Sequence, residues 1–134
     1  MPSAQSGKKA KPMPRRAAKI QLTLPLPPSA NRMTTKTRRG VRRSDEYNAF
    51  RATVLRITDI VGLVPFDGKV LVVIYVYRAS KRGDLDNYIK PTLDSLNNIA
   101  YHDDKQVVEL HAYRLDDKHN PHIEITIEDL EGIV

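Results

Sequence analysis

The chain has 134 residues, no cysteine and a formal net charge of +6. That is one ordinary domain with room for a tail, and it excludes a disulfide framework or a zinc site built on thiolates. The longest apolar run, Val70 to Val76, is far too short for a membrane span, and no apolar stretch follows the N-terminal cations, so no membrane partner and no secretory signal are expected; the expected location is the cytoplasm.

Taken in chain order, the first feature is charge. Residues 1–43 carry twelve Lys or Arg and no acid, whereas the remaining 91 residues carry ten basic and sixteen acidic side chains. A block of cations without anions repels itself, so it is disordered or held against an anion, and a phosphate backbone is the usual one. Residues 1–18, rich in Lys, Arg, Pro and Ala and without periodicity, read as a disordered basic arm; the plain alternative is a solubilising tail. Residues 19–134 then form the domain. Ile20, Leu22 and Leu24 alternate with polar residues and predict a first strand, ended by Pro25, Pro27 and Pro28. Ser29 to Arg43 reads as an exposed loop whose cations Lys36, Arg38, Arg39, Arg42 and Arg43 suit nucleic acid.

Ser44 is a good N-cap, with Asp45 and Glu46 placed to complement the helix dipole. Tyr47, Phe50, Val54, Ile57 and Val61 follow at helical spacing, predicting a helix from Asp45 to Val61 that Gly62 caps. Lys69 to Tyr77, nearly all β-branched or aromatic, predicts a central strand buried on both faces. Arg78 to Gly83 reads as a basic turn. A second helix is expected from Asn87 to Asn97, with Ile89, Leu93 and Leu96 on its inner face; either it starts near Lys90 with Pro91 at N1, or its opening turn is irregular. Val107–Leu115 and His122–Ile127 read as two strands forming a hairpin. The order β-α-β-α-β-β makes a single α+β domain, a mixed sheet with two helices on it.

The chemistry sits in Gly83-Asp84-Leu85-Asp86-Asn87 and Tyr101-His102-Asp103-Asp104. At the end of an extended strand, side chains two apart share a side, so Asp84 and Asp86 are expected to converge. The second segment follows helix two directly, and a short helix between neighbouring strands returns the chain to the same region. Three or four carboxylates in one place repel unless they share protons or a cation. A donor set made of oxygen alone points to Mg²⁺, with Mn²⁺ as a substitute, and to metal-assisted attack on a phosphoryl group. Lys90, four residues after Asp86, is placed to balance that charge or stabilise a transition state. Arg78, Lys81 and Arg82 stand where a phosphodiester must approach. Taken singly, Asp84 or Asp86 is an ordinary N-cap, Asp103-Asp104 a solvated turn and Lys90 a surface lysine. Asp94 and Asn97 fall beside Lys90 and read as an exposed helical face rather than as supports of the site.

Leu24-Pro25-Leu26-Pro27-Pro28-Ser29-Ala30-Asn31-Arg32, then Asp84-Leu85-Asp86-Asn87-Tyr88-Ile89-Lys90-Pro91-Thr92-Leu93-Asp94-Ser95-Leu96, then Asp103-Asp104-Lys105-Gln106-Val107-Val108-Glu109 resemble the RusA-type Holliday-junction resolvases, over about Ile20 to Ile127. The resemblance implies a small homodimeric, Mg²⁺-dependent endodeoxyribonuclease of bacteria and their phages. Such enzymes act in DNA recombination and repair, binding four-way junctions and nicking two opposed strands. The family's catalytic aspartates match Asp84, Asp86 and Asp104, with Asp103 adjacent, and its lysine matches Lys90; Asp103 is expected as a fourth metal ligand or as a support behind the ligands. Asn31 and Arg32, in the first matching stretch, join the DNA-binding set. Gly83 departs from relatives that carry a basic residue there, leaving that contact to Arg82 or Lys81. The competing expectations are a non-catalytic nucleic-acid-binding module with a structural acidic cluster, and a nuclease for flaps or other branched DNA.

Overall fold

A computed structural model of the chain describes residues 18–79 and 84–130. The proposed arm therefore lies, except for Ala18, outside the described residues. The described part is α+β: strand β1 (Lys19–Pro25), strands β2 (Thr34–Thr37) and β3 (Gly40–Arg43), helix α1 (Asp45–Ile60), strand β4 (Val70–Arg78), helix α2 (Asp86–Ser95) and strands β5 (Val107–Asp116) and β6 (His122–Asp129). Among the described residues no helix is long and apolar enough to cross a membrane.

Four strands form one mixed sheet in the order β1-β6-β4-β5. β6 runs antiparallel to both neighbours, Leu22 opposing Ile125 on one side and Ile74 opposing Ile125 on the other. β4 and β5 are parallel, with Tyr75 opposite Tyr113 and a bulge that leaves Val108 unpaired. The expected hairpin of the last two strands is thus not formed: β6 crosses over β4 and inserts between it and β1. The reason is burial. Ile123, Ile125 and Ile127 are all but fully enclosed and need a central position, whereas β5 carries Glu109, His111, Arg114 and Asp116 and tolerates the edge.

The core lies on one face. Val70, Val72, Ile74 and Val76 of β4 join Leu22, Leu24 and the β6 isoleucines beneath Tyr47, Phe50 and Val54 of α1 and Leu96, Ala100 and Tyr101 after α2. Each fully buried Val, Leu, Ile or Phe among them stabilises the fold by about 1.5–3 kcal/mol. The opposite face is not covered as expected: Leu71, Val73 and Tyr77 are only half-buried and Tyr75 is exposed. There Tyr75 stacks on Tyr113 and Tyr77 on His122, at 5.1 and 4.4 Å between ring centroids.

α1 forms as its sequence directs. Ser44 Oγ accepts from the Tyr47 amide at 3.1 Å, and Gly62, at φ +69°, follows its end in the left-handed region. The stretch read as a loop, Ser29 to Arg43, holds instead a short 3-10 turn (Ala30–Arg32) and the β2–β3 ribbon, closed by Arg38 and Arg39 with Gly40 at φ +120°. The ribbon is anchored at its base, where the Ser44 amide and hydroxyl donate to the Met33 and Arg32 carbonyls.

Candidate active site

α2 carries the first acidic segment. Leu85 has helical backbone angles (φ −55°, ψ −44°), and the amides of Asn87 and Tyr88 donate to the carbonyls of Asp84 and Leu85, three residues back. The opening turn is the irregular, tightened alternative, with Pro91 inside the helix rather than at its first position. The extended backbone expected between Asp84 and Asp86 is therefore absent, and their convergence does not follow from strand geometry. Asp86 sits where the N-terminal helix dipole favours an anion. Asp86, Lys90 and Asp94, four residues apart in turn, line one side of α2. Asp84, Asp86 and Lys90 are exposed, and among the described residues none spends its charge on an ion pair or hydrogen bond.

The second acidic segment is tightly built. Asp103 caps a 3-10 turn (Asp104–Gln106), its Oδ1 accepting from the Lys105 amide at 2.8 Å. Gln106 Oε1 accepts from the amides of His102 (2.8 Å) and Asp103 (3.1 Å). Its Nε2 donates to the carbonyls of Phe66 and Gly68, both at 2.8 Å. Asp103 is thus engaged as a cap, while the half-buried Asp104 carboxylate has no partner among the described residues. Tyr101 is buried and donates to the Leu93 carbonyl at 2.7 Å; burial first, then the charges of Asp104 and Asp94, hold its phenol far above the usual tyrosine range.

Tyr101, three residues before Asp104, is thereby fixed to the Leu93 turn of α2; Leu93 is seven residues beyond Asp86, about 10 Å along the axis at 1.5 Å per residue. Among the described residues no three His, Asp or Glu side chains lie close enough to hold one ion. The structure brings Asp103 and Asp104 to one turn and sets Asp84 and Asp86 at the start of α2, and does not gather all four.

Asp94 is not the exposed position it was expected to be. Tyr47 donates to its Oδ2 at 3.0 Å, Asn97 Nδ2 to its Oδ1 at 3.3 Å, and Arg43 lies 3.8 Å away. Burial and Asp94 together raise the Tyr47 phenol well above its ordinary range. Arg43 also lies over the Tyr47 ring, 5.7 Å from its centroid. The basic ribbon, α1 and α2 therefore meet at one half-buried carboxylate.

The ribbon presents the other expected contacts. All eight strand residues of β2 and β3 are exposed, and Lys36, Arg38 and Arg39 have no acidic partner among the described residues. Asn31 and Arg32 are exposed at its base; Arg32 pairs with Glu46 and Arg42 with Asp45, each at 3.4 Å. Exposed pairs of this kind are worth about 0–1 kcal/mol, so a phosphate can displace them. Arg78 differs from its expected role: at 4% exposure it bonds Asp116 at 2.9 Å and is buried in the sheet rather than offered to a phosphate. Lys81, Arg82 and Gly83 lie outside the described residues.

The sequence reading gave Gln106 no role and took Asp94 for an exposed position. Gln106 completes an Asp-x-x-Gln capping box with Asp103, a signal present in the sequence. Asp94 had none, because Tyr47 is 47 residues away. Compared with known proteins, residues 24–128 match the model of a family described as Endodeoxyribonuclease RusA. A stretch of 55 residues, 41% of the chain, is 36% identical to the protein named Uncharacterized protein YqaN of Bacillus subtilis (strain 168); it spans 38% of that protein's length.

Proposed function

The chain belongs to the RusA family of endodeoxyribonucleases, and on that premise we propose that it resolves four-way DNA junctions by paired, symmetric nicks in recombination and repair. One observation carries this reading. Asp84 and Asp86 at the start of α2 and Lys90 one turn on have no partner among the described residues, and a cationic ribbon is joined to that same helix through Arg43 and Asp94. Phosphate-binding and phosphate-cleaving groups then address one strand of DNA.

The donor chemistry fits Mg²⁺ or Mn²⁺: oxygen ligands only, with no thiolate in the chain. Asp84, Asp86 and Asp104 would be the carboxylates available to the ion, with Asp103 holding the turn. Mg²⁺ commonly takes one or two protein carboxylates, so it would need only part of this set at once. Such an ion supplies Lewis acidity at the phosphoryl group and an acidified water as nucleophile. Lys90, one helical turn from Asp86, offsets the negative charge that grows on the phosphoryl oxygens. Lys36, Arg38, Arg39 and Arg42 hold the flanking phosphates, with Asn31, Arg32, Lys81 and Arg82 extending that contact.

Two opposed cuts call for a two-fold protein on a two-fold substrate, and we take the active form to be a homodimer. The outer strand β5 supports this, exposing Val108, Leu110, Tyr113 and Leu115. A DNA substrate is consistent with action in the bacterial cytoplasm, in a host or a phage-infected cell. The test is Asp86→Asn on a synthetic junction with Mg²⁺. Cleavage is expected to vanish while junction binding persists or tightens, since one repulsive charge near the phosphates is gone. Wild-type cutting by the variant would overturn the assignment. Junction binding without any nicked product from the wild-type protein would leave a non-catalytic module, and faster cutting of flaps would leave a different branched substrate.

A further inference from the structure

We infer that Gln106 is a positioning residue for the Asp104 carboxylate, acting through the backbone of the turn that carries it; this rests on the assignment of Asp104 above. Asp104 makes no side-chain bond among the described residues, so its location is inherited from its backbone. The Asp103 cap and the turn's own backbone bonds shape that turn, and among side chains the Gln106 amide makes the most bonds that hold it in place. Gln106 spends its full capacity: Oε1 accepts from the amides of His102 and Asp103, and Nε2 donates to the carbonyls of Phe66 and Gly68. Only this orientation of the amide works. The flipped one would set N–H against N–H and oxygen against oxygen.

Local capping needs only the first two of these bonds, and a glutamate serves that purpose equally well. The other two reach back 40 and 38 residues to the segment that leads into β4. They require a donor and therefore glutamine. One further side-chain tie spans the same gap, between His102 Nε2 and Asp67 Oδ1, and it is exposed to solvent, where such pairs hold weakly.

Gln106→Glu separates the two roles, because it keeps both acceptor bonds of the cap and loses both donors of the tether. Gln106→Leu removes all four bonds. For both, the Mg²⁺ concentration giving half-maximal cleavage is expected to rise by about 10-fold or more, the usual effect of losing a support behind a metal ligand. For Gln106→Leu, which changes no charge, junction affinity without divalent metal should stay within about twofold; Gln106→Glu adds one negative charge near the phosphates and should weaken it modestly. Calorimetric titration of Mn²⁺ into the protein–junction complex, in a Lys90→Ala background that suppresses cutting, should show the same weakening. If Gln106→Leu does not fold, Gln106→Glu decides alone. Wild-type Mg²⁺ dependence and Mn²⁺ affinity in Gln106→Glu, with at most a lower melting temperature, would reduce Gln106 to a cap and overturn the inference. Asp104→Asn separates the failures: if that variant cuts normally, the assignment of Asp104 falls first; if it is inactive while Gln106→Glu behaves as wild type, the positioning role alone falls.

Discussion

On the proposed reading, neighbouring aspartates at 103 and 104 have different roles, and single substitutions can separate them. Asp103 Oδ1 accepts from the Lys105 amide at 2.8 Å, and the side chain forms a capping box with Gln106, as the cap of a three-residue turn. Asp103→Ala removes that bond and should cost about 1 kcal/mol. For a domain of this size that corresponds to a melting temperature lower by about 3–5 °C. Asp103→Asn retains an accepting oxygen and should stay within a few tenths of a kcal/mol of the wild type, because asparagine caps as well as aspartate. Asp104→Asn breaks no bond and should leave stability within about 0.5 kcal/mol. Activity should follow the reverse pattern: Asp103→Asn cuts a four-way junction within about threefold of the wild-type rate, whereas Asp104→Asn loses at least about 100-fold, as expected when a metal ligand loses its charge. Urea unfolding followed by circular dichroism and single-turnover cleavage under saturating Mg²⁺ give the two axes. Loss of cleavage in Asp103→Asn at unchanged stability would refute this division, and so would a large destabilisation by Asp104→Asn.

Two further outcomes test the ribbon and the open sheet face. Arg38→Ala with Arg39→Ala should flatten the dependence of junction affinity on salt, by about 0.9 in log–log slope for each phosphate that is no longer neutralised, read by fluorescence anisotropy without divalent metal; an unchanged slope removes the ribbon tip from the interface. His122 is held above its ordinary value of 6.5 by the Asn120 carbonyl at its Nδ1 and then by Glu124. The protonated ring is thus favoured by folding, and its contribution is complete below pH 6.5 and fades as pH rises through the higher folded-state value. Unfolding free energy measured across pH 6 to 8 should fall with pH, and His122→Gln should flatten that fall; an identical slope in the variant would show that another group titrates.

Much of the fold was legible because burial writes a period into the chain. Tyr47, Phe50 and Val54 mark α1, and Ile123, Ile125 and Ile127 mark β6, since each set must face one core. The β2–β3 ribbon buries nothing, so its strands carry no such period and Thr34 to Arg43 read as a loop. The placement of β5 was obscured by its short connection to β6, which favoured a hairpin. Its polar residues on both faces argued for an edge, and that argument prevails in the sheet. In the site, residue types were readable but backbone conformation was not. The helical angles of Leu85 turn Asp84 and Asp86 away from a strand-like alignment. Asp94 looked exposed because α2 viewed alone gives no sign of Tyr47 or Arg43.

The position of β6 has a further consequence. Its two neighbours are the first and fourth strands of the chain, so Lys19 must wait for Glu128 before the earliest strand finds a partner in the main sheet. Pairings this remote in sequence are formed slowly, because most of the chain must be closed into a loop before the bonds reward it. On the ribosome, the sheet stays open until Asp129 has emerged, with Leu22, Leu24 and the β4 valines lacking their strand partner in the meantime. Nascent chains stalled before residue 122 should therefore depend on chaperones that those carrying the complete β6 do not need.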